Sequence, residues 1–218
     1  MSTCLALDNF GFPDTEVLII PVPYKDLSDH QLIEATREGD EDAFAEIVGR
    51  YRNQLTNYLY RMLNDYEEAV DLAQESFVRV YFAIDRYHSN YAFSTYIYRI
   101  ATNLAISEIR KRKRRKLFSL TGLFQFDGDD DKDYQPPDAQ PLPEDDTMDA
   151  EKRKVIEKAI VALPEKYRVP IVLREIEELT YEEVANVMGL GLGTTKSRIS
   201  RGRRILRERL RHYFEDRI

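Results

Sequence analysis

Toward its C-terminal end the chain carries Thr180-Tyr181-Glu182-Glu183-Val184-Ala185, then Met188-Gly189, then Gly193-Thr194-Thr195-Lys196-Ser197-Arg198 and an arginine-rich continuation. Thr180 and Glu183 have the spacing of a capping box, in which each side chain satisfies an orphan backbone donor at a helix start. Val184, Ala185 and Met188 recur at helical spacing and give that short helix one apolar face. Gly189 and Gly191 supply a turn that needs permissive dihedrals, and Thr194 is placed to cap the helix that follows. On this second helix Ile199, Leu206 and Leu210 can face inward, while Lys196, Ser197, Ser200, Arg201 and Arg204 fall along the opposite stripe. The pattern predicts a helix-turn-helix whose outer stripe suits base edges and phosphates. Lys196 to Arg211 contains eight basic residues and one acidic. Such a run is by itself usually a solvated helix face. Joined to a cap, a turn and an inward stripe, it favours DNA binding.

Composition limits the alternatives. A chain of 218 residues holds one large domain or two small ones, and an apolar fraction of 43% is ordinary for a folded protein. The formal net charge of −7 argues by itself against a nucleic-acid partner. The charges are segregated, however, and local fields decide binding. Arg110-Lys111-Arg112-Lys113-Arg114-Arg115-Lys116 is wholly basic, whereas Asp127 to Asp149 holds ten acidic residues, one lysine and four prolines. The single cysteine, Cys4, excludes an internal disulfide. With His30, His88 and His212 scattered, no zinc site is expected, and neither is any other metal or cofactor. No apolar run approaches the ~20 residues of a membrane span. Val17-Leu18-Ile19-Ile20 is too short for a secretory core and follows acidic residues, so a soluble, cytoplasmic protein is expected. The carboxylates lie in the acidic stretch or at helix starts, with no nucleophile–base pair and no Walker-type phosphate loop. Neither catalysis nor a small-molecule substrate is expected.

The coarse reading is all-α. Ser28 and Gln31 form another capping box, and Glu38-Gly39-Asp40 closes the first helix. A second helix begins near Asp42, with Phe44, Ile47, Val48, Tyr51, Leu55, Leu59 and Met62 in helical period, and ends at Asn64-Asp65. A third runs from about Glu67 to Ile84 with Val70, Ala73, Phe77, Val80 and Tyr81 inward. A polar loop, Asp85 to Asn90, leads to a helix through Tyr96, Ile100, Leu104 and Ile109. Helices resume at about Asp149, Pro164 ends or kinks the first of them, and the next spans about Val169 to Ile176. Two helical domains on a flexible acidic linker follow: a disordered extension over 1–26, a helical lobe over 27–116, the linker over 117–148 and the helix-turn-helix domain over 149–218.

Four stretches resemble the extracytoplasmic-function group of bacterial RNA polymerase sigma factors, and the likeness spans roughly Ser28 to Leu210. Asp40-Glu41-Asp42-Ala43-Phe44 with Arg50-Tyr51 is similar to the family's opening segment. Asp71-Leu72-Ala73-Gln74-Glu75-Ser76-Phe77-Val78 is similar to its core-polymerase-binding helix. Phe93-Ser94-Thr95-Tyr96-Ile97-Tyr98-Arg99-Ile100-Ala101-Thr102-Asn103 resembles its promoter-melting segment. Leu163-Pro164-Glu165-Lys166-Tyr167-Arg168 and the helix-turn-helix resemble its second domain. Departures are Tyr96 for a usual tryptophan, Gly191 for a common proline, Thr195 for a common valine and Gly202 for a common alanine. The glycines make a less rigid recognition helix the expectation.

The resemblance implies contacts, not bond chemistry. Asp71, Gln74, Glu75 and Phe77 match the helix that docks on core polymerase, although Phe77 also suits the internal core. Strand separation traps unstacked bases. Tyr87, His88, Ser89 and Asn90 lie in the loop that resembles the strand-capturing one, and Asn103 matches a base-contacting position for the −10 element. Tyr96 and Tyr98 are weaker candidates, since aromatics at helical spacing are more often core. Arg110, Lys111 and Arg112 begin the run expected on backbone phosphates. For the −35 element the matching positions are Lys196, Ser197, Ser200 and Arg201, with Arg204 as a phosphate or structural partner and Thr194 meeting a phosphate at the helix N-terminus. Implied partners are core RNA polymerase, promoter DNA and an anti-sigma factor, often membrane-anchored. The rival reading is a helix-turn-helix regulator acting without polymerase. For the acidic linker, RNA mimicry within the enzyme and a solvated spacer stand side by side.

Overall fold

The structure is a computed structural model. It describes residues 23–88, 91–120 and 146–215 and, within the helices, excludes the side chains at 116, 118–120, 146–151 and 212–215. Expectations for residues 1–22, Ser89, Asn90 and the acidic stretch from 121 to 145 lie outside the described residues. Among the described residues there are eight α-helices: α1 (Asp29–Arg37), α2 (Glu41–Leu63), α3 (Tyr66–Phe82), α4 (Phe93–Leu120), α5 (Asp146–Val161), α6 (Glu165–Glu175), α7 (Tyr181–Met188) and α8 (Leu192–Glu215). Among the described residues there is no strand, and no helix is long and apolar enough to cross a membrane.

Short polar side chains set the helix boundaries. Ser28 and Gln31 form the capping box of α1. Asp40 caps α2 through the amide of Ala43, and Asp65 caps α3 through that of Glu68. Asn64 ends α2 in the left-handed region at φ 54°, so Asn64 and Asp65 together make the whole turn between two long helices. The lobe begins earlier than expected. Tyr24–Asp26 form a 3-10 turn tied down by Arg50, whose guanidinium donates to the carbonyls of Tyr24 (2.9 Å) and Lys25 (3.1 Å) and pairs with Asp29 (3.0 Å). Residues 24–26, expected to belong to the extension, therefore lie in the lobe.

Helices α1, α3 and α4 pack on α2. Ile47, Leu55, Tyr58, Leu59 and Met62 are buried against Leu32 and Ile33 of α1, Ala69, Ala73 and Val80 of α3, and Ile97, Ala101 and Ala105 of α4. The Tyr58 hydroxyl, fully enclosed, finds Thr102 Oγ1 at 2.7 Å, and burial pushes its pKa well up. Helix α4 contains neither glycine nor proline and runs through the basic segment to Leu120, beyond the expected lobe boundary at 116.

In the C-terminal half, Pro164 stands at the N-cap of α6, so it ends α5 instead of kinking it. Thr180 and Glu183 form the capping box of α7, and Gly189 closes that helix at φ 62°, where a side chain would be strained. Thr194 does not cap α8. It is the third residue of a helix that starts at Leu192. The first turn is closed instead by buried Thr195, whose amide (3.0 Å) and hydroxyl (3.2 Å) both donate to the Gly191 carbonyl.

The two halves do not stand apart. Helix α7 lies on α4, while α5 and α6 reach α2. The apolar core runs unbroken from Ile47 and Ile97 to Leu163, Val172 and Val184. Arg168 joins the halves by donating to the carbonyls of Met62 (2.5 Å) and Leu163 (3.0 Å). The two helical domains expected from the sequence are present and also pack against each other.

At Gly202, α8 lies close against α6. A Cβ there would fall 2.6 Å from Ile171 Cγ1 and 3.1 Å from its Cδ1. The glycine is required by packing, whatever it costs in helix propensity. Gly202→Ala gains roughly 1 kcal/mol of propensity but overpacks a buried site, which costs about 1–3 kcal/mol. The expected outcome is a lower midpoint in thermal unfolding, with coupling to Ile171→Ala in a double-mutant cycle.

Candidate nucleic-acid and polymerase interfaces

Helix α3 presents one face to the outside. Asp71, Gln74 and Glu75 are exposed on it, as the sequence predicts. Phe77 is not: it is only 6% exposed and belongs to the core. The aromatic of this face is Phe82, 81% exposed, with Val78 at 54% on the same stripe. Asp71, Glu75, Val78 and Phe82 are spaced four, three and four apart, which puts them on one side of the helix. An inward stripe drawn through neighbouring Tyr81 passes over Phe82, and the signal that points to it is its helical spacing from Glu75 and Val78. Tyr81 itself is half turned out, with its ring edge-on to Phe44 at 5.0 Å and to Phe82 at 5.8 Å.

The loop before α4 is anchored from below. Tyr87 is 7% exposed, its hydroxyl donates to the Tyr91 carbonyl at 2.7 Å, and its ring packs on Tyr96 at 5.2 Å and Phe93 at 5.8 Å. The Arg37 guanidinium donates to the carbonyls of Ile84 and Tyr87, fixing the backbone there. Tyr87, expected as a base-trapping ring, is therefore a post that shapes the loop. The exposed ring is Tyr91, and His88 is exposed beside it. Tyr96 is half-buried and Tyr98 buried.

Along α4, Arg99, Asn103, Ser107, Arg110 and Arg114 are exposed at intervals of three or four residues and form a single open stripe. Asn103 stands at its middle with its side chain outward. Arg99 was not singled out from the sequence, and its signal is the same spacing. The basic run is divided by its partners. Arg112 is half-buried and meets Asp65 (3.0 Å), Glu68 (3.6 Å), Glu108 (3.4 Å) and the Leu63 carbonyl (3.5 Å), so it clamps α4 to the α2–α3 turn instead of facing a phosphate. Lys111 pairs with Glu108 at 3.0 Å. Burial opposes the charge on Glu108, yet Lys111 and Arg112 outweigh it and hold that carboxyl below its ordinary pKa. Arg110 leans on Glu165 at 3.6 Å but stays open to solvent, as do Arg114 and Arg115.

On α8, Thr194, Lys196, Ser197, Ser200, Arg201 and Arg204 are all exposed, and Ile199 is buried beneath them. Arg203 is taken by Glu175, with contacts of 2.6 and 2.9 Å that fasten α8 to α6. A hydrogen bond from Arg201, then one from Lys166, holds the Tyr167 hydroxyl below its ordinary pKa. Lys196 Nζ lies 5.8 Å over the Tyr181 ring. Among the described residues no group of three or more His, Cys, Asp or Glu side chains is arranged to hold a metal ion. The arrangement offers an acidic and aromatic stripe on α3 and two cationic, amide-bearing stripes on α4 and α8.

Comparison with known proteins gives the family. The Sigma-70 region 2 family matches residues 47–115 and the Sigma-70 region 4 family matches residues 153–206. The ECF RNA polymerase sigma factor SigW of Bacillus subtilis is 41% identical over 189 residues, covering 82% of this chain and 95% of that protein. The RNA polymerase sigma-H factor of Pseudomonas aeruginosa is 36% identical, covering 80% and 90%. Among solved structures, CnrH in complex with the cytosolic domain of CnrY has the same fold at a TM-score of 0.60 and 21% identity, covering 84% of this chain and 97% of that one. The sigma factor RpoE of Bartonella quintana, in complex with the anti-sigma factor NepR, does so at 0.57 and 23%, covering 77% and 96%. With both regions matched in order and this identity across nearly the full length of a relative, the chain belongs to the extracytoplasmic-function group of RNA polymerase sigma factors.

Proposed function

We propose that three separate faces divide the work of promoter-specific initiation with core RNA polymerase. Asp71, Gln74, Glu75, Val78 and Phe82 of α3 dock on the polymerase. The open stripe of α4, with Asn103, Arg99 and Arg110, receives the separated strand together with the loop that carries His88, Ser89, Asn90 and Tyr91. Lys196, Ser197, Ser200, Arg201 and Arg204 of α8 read the upstream duplex, with the exposed Thr194 beside them. The observation that carries this reading is the sorting of exposed side chains: acidic and aromatic on α3, where Arg79 is paired with Glu75, and cationic and amide-bearing on α4 and α8. An apolar ring flanked by carboxylates suits a protein hot spot, whereas guanidinium and amide groups suit phosphates and base edges. A regulator acting without polymerase would leave the α3 face without a purpose. An anti-sigma factor that covers one of these faces, and a cytoplasmic site of action, complete the proposal. The direct test is transcription of genomic DNA by core polymerase with and without the full chain, read by mapping transcript 5′ ends. Clustered start sites that depend on the chain are expected, and their absence overturns the reading.

Each face yields its own expectation. Phe82→Ala removes an exposed ring and should leave thermal unfolding unchanged. It should nonetheless weaken core polymerase binding by about 2 kcal/mol, roughly thirtyfold. Equal affinity of variant and parent in a fluorescence titration would remove Phe82 from the interface.

Asn103→Ala should reduce promoter opening with core binding intact. Permanganate footprinting is the measurement, and unchanged thymine reactivity would return Asn103 to the solvent-exposed surface.

Arg201→Ala should cost about 1–3 kcal/mol and relax preference at one base pair if the guanidinium meets a base edge. A phosphate contact would instead weaken all sequences alike and lower the salt slope. Binding to a panel of single-base variants at two salt concentrations separates the two.

A further inference from the structure

Helix α6 meets α8 along one stripe. Tyr167, Ile171 and Glu175 follow one another at four-residue intervals, so they stand on the same face of α6. The middle residue takes Gly202 of α8: a Cβ at 202 would fall 2.6 Å from Ile171 Cγ1 and 3.4 Å from the Tyr167 carbonyl oxygen. Arg201 and Arg203 flank that glycine. They lie about 200° apart around the helix axis and so leave the contact on opposite sides of it. Each finds a partner at a different end of the α6 stripe. The Glu175 carboxylate accepts from Arg203 at 2.6 and 2.9 Å. The Tyr167 hydroxyl accepts a hydrogen bond from the Arg201 guanidinium, and that bond does most to hold the phenol below its ordinary pKa. The acceptor is itself held, with its backbone against Gly202 and Lys166 Nζ 4.9 Å over its ring.

The two partners differ in charge, and this separates the roles of the two arginines. Glu175 neutralises Arg203 and occupies both its Nε and its Nη2, so that side chain fastens α8 to α6. A protonated phenol carries no charge. It accepts from one of the five guanidinium donors, which limits where Arg201 can swing while leaving its charge and its other N–H groups for a further partner. Two other exposed cations of the α8 stripe are placed differently. Lys196 lies 5.8 Å over the Tyr181 ring, and Arg204 approaches Glu208 of its own helix at 3.9 Å. Arg201 is joined instead by a directional bond to a neutral group of a second helix. Reading a base edge demands such direction, because the guanidinium must present two donors in the plane of the base. An arginine oriented beforehand loses less rotamer freedom on contact. We propose that Tyr167 is a positioning residue for promoter recognition: its hydroxyl orients Arg201 in advance, so that the guanidinium meets the edge of one base in the upstream duplex. The proposal rests on the assignment of α8 to that duplex.

Tyr167→Phe removes the hydroxyl and keeps the ring, so the packing of α6 on α8 and the midpoint of thermal unfolding should not change. The measurement is binding of core polymerase carrying the full chain to a duplex from a promoter whose start site depends on the chain, and to single-base variants of its upstream element. Tyr167→Phe should weaken binding to the parent duplex roughly three- to tenfold, the effect of ordering one long side chain on contact. It should also lower the preference at the same base pair that Arg201→Ala relaxes. In an Arg201→Ala chain, adding Tyr167→Phe should have no further effect. That coupling separates positioning from a general weakening of the domain, which would act alike with either residue at 201. Binding of the whole panel as by the parent overturns the proposal. So does a loss that persists undiminished beside Arg201→Ala, or one spread evenly over all the base variants. In those outcomes Arg201→Ala still alters base preference, and the assignment of α8 to DNA stands. An Arg201→Ala chain that binds every duplex as the parent does would instead remove Arg201 from the DNA and take the proposal with it.

Discussion

One buried hydrogen bond sets the geometry of the surface that matters. Tyr58, in the middle of α2, is wholly enclosed, and its hydroxyl must find a partner there because an unpaired polar group away from water costs about 1–3 kcal/mol. It finds Thr102 of α4 at 2.7 Å. This fixes the rotation of α4 about its own axis. With Thr102 turned inward, the next residue, Asn103, points out, since successive residues on a helix are about 100° apart. One turn earlier Tyr98 packs edge-on to Tyr58 at 5.2 Å and extends its hydroxyl to the C-terminal lobe. The same inward stripe thus places the amide offered to the strand and the tyrosine that meets Glu177. Helices from both lobes pack on α2 itself, so a shift of this post would be felt in both.

Arginines serve two purposes, and the difference is whether a carbonyl or carboxylate of another element holds the guanidinium. Arg37, Arg50, Arg112, Arg168 and Arg203 are bound to carbonyls or carboxylates of other elements. Each guanidinium offers five donors in a fixed plane, so one side chain can close a loop or join two helices. Arg99, Arg114, Arg201 and Arg204 face solvent and supply positive potential along α4 and α8. Net charge conceals this sorting. The chain is acidic overall, yet the open stripes of α4 and α8 are cationic, which is what a nucleic-acid strand meets within a Debye length.

Local signals were the most legible. Capping boxes at Ser28 and Thr180, the glycine at the end of α7 and the long apolar periods of α2 and α3 all act within a few residues, so their spacing predicts where helices begin and end. Exposed polar positions on α3 and α8 followed from the same periods. Misreadings came where a residue had two suitable environments. Phe77 and Phe82 lie five positions apart, and only packing chose which ring to bury. Tyr87 could have offered its ring outward, but Arg37 draws its loop against the lobe. Arg112 sits within a uniformly basic run, yet it meets the acidic turn between α2 and α3.

By itself, then, the sequence determined an all-helical chain, four motif stretches in a fixed order, and a family, because caps, periods and motif spacing are written in neighbouring residues. The tertiary structure decided which cations hold the fold and which face outward, why position 202 must be glycine, and that the C-terminal lobe lies on α4. These depend on side chains far apart in sequence, such as Tyr98 and Glu177 or Arg168 and Met62, whose meeting no local pattern records.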